Sequence, residues 1–329
     1  MSRIRRILVA IKDPAARKPS PAVLKAAQLA RACGAQLHLC HCLTEPVYLD
    51  GLGYTSGFKT LQEDLQRRAK AALERAAERL TEHSIKVTVS AEWDYPAHEA
   101  IIRQATRIKA DLIVIDRHAG KHGAGWLLRL TDWELLRWSP IPVLLVRNPH
   151  AYRRPAILAA VDPTHAFAKP LQLDQQILGA ASSLRLALHG SLHAVHAYIR
   201  APIEALPQAN VSERTLRDIE KRSERAAVAL LDRALRHHKV ARAHRYAIGR
   251  HPIDAITEAA EQSRSAIVVM GAISRTGFRR LLIGNTAERI LDSLKCDVLV
   301  VKPAGFRNRV PAATRGVRVA LPADTMGYF

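Results

Sequence analysis

Short apolar runs alternate along the chain with longer segments in which apolar residues recur every third or fourth position. Runs such as "LIVI", "VLLV" and "IVVM" are apolar at every position, as strands covered by helices on both faces must be. The longer segments carry one apolar stripe and one charged face, most clearly "RTLRDIEKRSERAAVALLDRALRHH", and so read as amphipathic helices. The pattern predicts strands near 5–11, 36–43, 85–92, 111–116 and 142–147, with helices near 21–33, 60–83, 97–108 and 130–138. It then predicts strands near 156–161, 190–198, 240–248, 265–270 and 297–302, with helices near 170–187, 211–238, 253–263 and 284–294. Strand–helix alternation of this kind implies a parallel sheet wound in both directions by right-handed crossovers.

The order is written twice. "ADLIVID" matches "SAIVVMG", "IPVLLVR" matches "CDVLVVK", and "LHLCHC" matches "LHAVHA", all at an offset of 155 residues (Leu37 against Leu192). The seam lies near "RNPHAYRRP". We therefore expect two tandem, doubly wound, five-stranded α/β domains of Rossmann-like type at residues 1–150 and 151–303, followed by a C-terminal tail at 304–329. The tail is expected to be largely irregular, with "VRVAL" a candidate short strand. The last strand of each copy would expose a flat apolar edge if left alone. Pairing of those edges about a pseudo-twofold axis would make the chain an intrachain pseudo-dimer, with a further homodimer left open.

Composition narrows the class. With 48% hydrophobic residues in 329 and a mean hydropathy of −0.08, the chain has enough apolar material for two cores. No apolar stretch approaches the roughly 18 residues of a membrane span, and the apolar run near the N-terminus is too short for a secretory leader. Four cysteines without a spaced framework suit a reducing cytoplasm. The formal charge of +20 is spread over both halves and would favour weak nonspecific contact with nucleic acid or anionic lipid. Aromatics are only 5%, so a solvated arginine-rich surface is the plainer account of that charge.

The candidate chemistry sits in "GAISRTGFRRLLIGNTAERIL", which leaves a buried strand. Open α/β sheets hold ligands beyond the carboxyl ends of strands where the winding reverses. In the second copy this brings Asp162 and Gly271 to one crevice. Gly271 permits close backbone approach and Gly277 a positive φ. Gly284 and Asn285 stand where a helix begins, so free amides there suit an anion. Arg275, Arg279 and Arg280 add positive charge, and Asp162 offers an acceptor to a sugar or base. The competing reading is a βα connection that uses glycine for turns, with Asn285 as helix N-cap and Glu288 three residues on. His38, Cys40, His41 and Cys42 form no metal set, because strand neighbours point to opposite faces and no distant pair completes them. No nucleophile–base constellation stands out, so no catalytic residue is assigned.

The stretch "VDP…MGAISRTGFRRLLIGNTAERILDSLKCDVLVVKP" resembles the universal stress protein family, and "GNTAE" with "TDWELLR" resembles its tandem, universal stress protein E-like subgroup. Nucleotide-binding members carry Gly, two residues, Gly, nine residues, Gly and then Ser or Thr. Gly271 and Gly284 match the first and last glycines, whereas Ser274 and Asn285 replace the middle glycine and the hydroxyl. In the first copy Asp116, Ala119, Arg129 and Leu130 stand at these positions, so its loop is degenerate. The resemblance implies a pocket lined by Asp162, Ala197 through its backbone, Gly271, Gly284, Asn285 and Thr286, and Met270, Ser274, Arg275 and Gly277 complete the candidate ligand-binding set. It implies ATP or ADP as ligand and a non-enzymatic stress-response regulator. The alternative is an interaction protein with vestigial pockets, acting through its basic surface on nucleic acid, anionic lipid or protein partners.

Overall fold

The computed structural model describes residues 4–44, 47–48, 56–81, 85–117, 125–164, 173–198, 212–271, 291, 293–316 and 319–320. The chain divides into two compact units. One comprises Ser2–Ala151 with the C-terminal segment from Arg307, and the other comprises Tyr152–Phe306.

The first unit contains β1 (Arg6–Ala10), α1 (Pro21–Cys33), β2 (Gln36–Leu43), β3 (Val47–Tyr48), α2 (Ser56–Thr81), β4 (Val87–Trp93), α3 (Ala97–Arg107), β5 (Leu112–Asp116), α4 (Gly125–Trp138) and β6 (Val143–Val146). Its strands lie in the order β4-β2-β1-β5-β6, and the pairings that join them are parallel. The second unit contains β7 (Ala156–Val161), α5 (Leu173–Ala187), β8 (Ser191–Ala197), α6 (Glu213–Ala234), β9 (Arg245–Ile248), α7 (Pro252–Gln262), β10 (Ile267–Gly271) and β11 (Asp297–Val301). Its order, β11-β10-β7-β8-β9, repeats the first, again with parallel pairings. Ile7, Leu8, Val9, Ile113 and Val114 are fully buried, as are Ile157, Leu158, Ala159, Ile267, Val268 and Val269 of the second unit. Both faces of the central strands are therefore dry, as their unbroken apolar sequence requires.

Local chemistry sets the helix ends. Ser20 caps α1 by accepting from Val23 N, and Pro21 takes the first helical position, where a missing N–H costs nothing. The helix closes at Gly34, whose φ of 64° is left-handed. The same closing turn recurs. Ala35 N donates to Ala30 O, Gly190 N to Arg185 O, Ala110 N to Ala105 O, and Ser265 N to Ala260 O. The left-handed residues are Gly34 and His189 in one equivalent pair, Lys109 and Arg264 in the other. Each pair is separated by the repeat offset, so the duplication is written in backbone as well as in sequence.

Two differences from the expected elements stand out. Residues 240–244 are not strand. Arg245 turns its guanidinium back onto the Val240 carbonyl (Nη2 at 2.6 Å), and a 3-10 turn fills Arg242–His244 before β9 starts. The helix α4 begins at Gly125, earlier than its apolar periodicity indicates. Val319–Ala320 forms the short strand β12, which pairs in parallel with β3, so the "VRVAL" segment does contribute a strand.

Candidate functional site

In the second unit the winding reverses between β7 and β10, which are hydrogen-bonded neighbours (Val269 against Ala159). Asp162 directly follows β7, and Gly271 ends β10. The structure thus brings together the two residues that the sequence placed at one crevice. Ala197 ends the adjoining strand β8, where it pairs with Ile248. Met270 is 6% exposed and pairs with Val300, so its side chain is part of the core. Ser274, Arg275, Gly277, Gly284, Asn285 and Thr286 lie outside the described residues, as do Arg279, Arg280 and most of the helix expected near 284–294.

The carboxylate of Asp162 is held from one side. Its Oδ1 accepts from Thr164 Oγ1 at 2.5 Å, while its Oδ2 is buried with no hydrogen-bond partner among the described residues. A buried acceptor without a donor costs about 1–3 kcal/mol, so Oδ2 is poised to receive an N–H or O–H. The backbone N–H of Asp162 donates to both oxygens of Asp174, at 3.1 and 3.2 Å. Asp174 is buried in the first turn of α5, where the helix dipole favours a negative charge. This wall of the crevice is therefore acidic and acceptor-rich.

Gly271 has a packing role that sequence reasoning missed. A Cβ built on it would fall 2.5 Å from Leu173 Cδ2 and 3.0 Å from Leu173 Cγ. Leu173 is fully buried at the start of α5. The side of Gly271 that a Cβ would occupy is thus filled by the protein itself, and only its backbone remains for a ligand.

In the first unit the equivalent strand end carries Asp116, and its Oδ1 accepts from Ala22 N at 2.8 Å, at the start of α1. Each unit thus uses a carboxylate to tie a strand end to the first helix: Asp116 of β5 accepts from the start of α1, and Asp174 of α5 accepts from the residue after β7. Ala119 lies outside the described residues, and Arg129 and Leu130 are described only as part of the α4 backbone.

Lys302, which the sequence did not single out, stands one residue beyond β11 and is 7% exposed. Burial pulls its ammonium down to about 7, and Nζ lies 4.9 Å from the Phe306 ring centre. The histidines behave as structural groups. His38 Nδ1 meets Thr88 Oγ1 at 2.8 Å, and its Nε2 meets Ser90 Oγ and the Gln104 amide, both at 2.9 Å. His41 Nδ1 donates to the Ile11 carbonyl at 2.8 Å. No cluster of three or more metal-ligating side chains occurs among the described residues. No helix among them is long and apolar enough to cross a membrane.

Two doubly wound α/β units in tandem, with the same strand order, define the class. The universal stress protein family model matches residues 3–147 and again 156–302. The chain belongs to the universal stress protein family. It is a tandem member of the universal stress protein E type. Universal stress protein E of Photorhabdus laumondii is 25% identical over 264 residues, covering 77% of this chain and 81% of that protein. The Escherichia coli K12 protein of the same name is 28% identical over 238 residues, covering 69% and 71%. Among solved structures, a functionally unknown protein from Pseudomonas aeruginosa PAO1 aligns over 92% of this chain and 94% of its own, at 26% identity and a TM-score of 0.67.

Proposed function

We propose that this stress protein is a non-enzymatic, cytoplasmic regulator whose second domain binds an adenine nucleotide or another small anionic ligand. The observation that carries this reading is Oδ2 of Asp162, buried and without a hydrogen-bond partner among the described residues, beside the strand end at Gly271. An exocyclic amine or a ribose hydroxyl supplies the donor that Oδ2 lacks. Asp162 and Asp174 make this wall unsuited to phosphate, so the anionic end of the ligand points away from them. We assign it to Ser274, Arg275 and Gly277 and to the expected helix start at Gly284, Asn285 and Thr286, where amides and guanidinium groups are plentiful in sequence.

Isothermal titration of the full chain with ATP and ADP tests the proposal. We expect saturable heat that falls at least tenfold in affinity in Asp162→Ala and in Gly284→Val. Absence of heat at high micromolar nucleotide, or equal affinity in all three proteins, overturns it. If binding is instead to nucleic acid or anionic vesicles, and weakens steeply with salt, the basic surface carries the function.

A further inference from the structure

The C-terminal segment from Arg307 groups with the first domain, although the chain enters it directly from the second. It is attached at three points. Arg315 donates two parallel hydrogen bonds to Glu99, Nε to Oε2 at 2.8 Å and Nη2 to Oε1 at 2.7 Å. Its backbone N–H donates to Asp94 Oδ1 at 2.9 Å. The carbonyl of Pro311 accepts from Arg103 Nη1 at 3.2 Å. Val319 and Ala320 pair with Val47 and Tyr48. The segment therefore runs past the carboxyl end of β4, where Asp94 follows Trp93, to the short strand that follows β2.

The seat for Arg315 is built from inside the domain. Arg103 is 7% exposed; its Nε lies 2.8 Å from Asp94 Oδ2 and its Nη1 3.1 Å from Glu99 Oε2. Two carboxylates are thus held in place by one internal guanidinium, leaving one negative charge over. A second guanidinium cancels it, and the paired oxygens of Glu99 present the fork geometry that selects arginine over lysine. Arg315 keeps 54% of its side chain in solvent, so it can leave without disturbing the core.

We infer that the first domain carries a docking site for an arginine-bearing peptide, and that residues 311–316 and 319–320 of the same chain occupy it in cis. Specificity comes from the Asp94–Glu99 seat, and register comes from the Arg103 hook and the backbone row of β3. A covalently attached occupant has an effective concentration of about a millimolar. A modest intrinsic affinity therefore keeps the site filled, and an outside peptide competes only after the resident segment has left.

Two measurements on the full chain test this. Trypsin cleavage after Arg315 should be slow in the wild type and at least tenfold faster in Glu99→Gln, with little change in melting temperature because Asp94 still holds Arg103. Equal cleavage rates overturn the proposal. A fluorescent peptide of residues 307–320 should bind Arg315→Ala saturably, and bind the wild type and Glu99→Gln/Arg315→Ala at least tenfold more weakly. Equal uptake by all three proteins, or none by Arg315→Ala, refutes docking in trans and with it the site.

Discussion

Tyr152 donates a 2.6 Å hydrogen bond to Asp297, and both side chains are buried although 145 residues separate them. The pair fastens the entry of the second domain to the start of its β11. Burial first, and then the Asp297 charge, pushes the phenol well above its ordinary range, so it stays protonated and remains a donor. Tyr152→Phe keeps the ring and removes the donor. We expect a loss of about 1–3 kcal/mol, read as a lower urea midpoint for the second domain.

Gly271 and Leu173 make a second linked pair. Gly271→Ala puts a methyl group into space that Leu173 already fills, a cost of about 1–3 kcal/mol for overpacking. Leu173→Ala alone leaves a cavity and also destabilises. The double variant should lose clearly less than the sum of the two, measured by chemical unfolding. Should it recover packing yet still fail to bind nucleotide, the glycine serves the ligand as well as the leucine.

His38 and His193 give the protein an acid-sensitive range. Burial, helped by Arg107, lowers His38 from 6.5 to about 4. Burial, helped by His244, lowers His193 from 6.5 to about 4. Both are basic groups kept neutral in the folded state, so unfolding takes up protons once the pH drops below 6.5. Their stabilising effect is complete above 6.5 and is lost progressively as the pH falls toward 4. Melting temperatures measured between pH 7.5 and 4 should show this slope, and His38→Gln should reduce it by about one proton.

Arg264 holds a φ of 49° in the turn that closes α7. A left-handed residue with a Cβ costs about 1–2 kcal/mol, and among the described residues the Arg264 side chain makes no hydrogen bond or ion pair that would offset this. Arg264→Gly should therefore raise stability by a few tenths to about 1 kcal/mol, net of the chain entropy that glycine adds. An unchanged or lower melting temperature would rule this out.

The central strands were legible because a strand covered on both faces leaves an unbroken apolar run, as in "LIVI" at β5 and "IVVM" at β10. The helices were legible from apolar residues recurring every third or fourth position, as in "RTLRDIEKRSERAAVALLDRALRHH" at α6. The two-residue strand β3 was not legible, since Val47–Tyr48 is too short for any periodicity. Nor was the destination of the tail: Arg315 and Glu99 stand 216 residues apart, and nothing local marks either as a partner. At the site, strand ends and topology placed Asp162 and Gly271 together. The covering of Gly271 by Leu173 escaped notice because one glycine looks the same whether a ligand or a side chain requires it.

Asp116 changes how the degenerate half is understood. The main-chain donors at the start of α1 are the kind of group that would greet a phosphate, and the first domain supplies Ala22 with an oxygen of its own. Any incoming anion there would have to evict a tethered competitor before it could settle. Duplication has let one half of the molecule satisfy that donor with a carboxylate carried by its own strand.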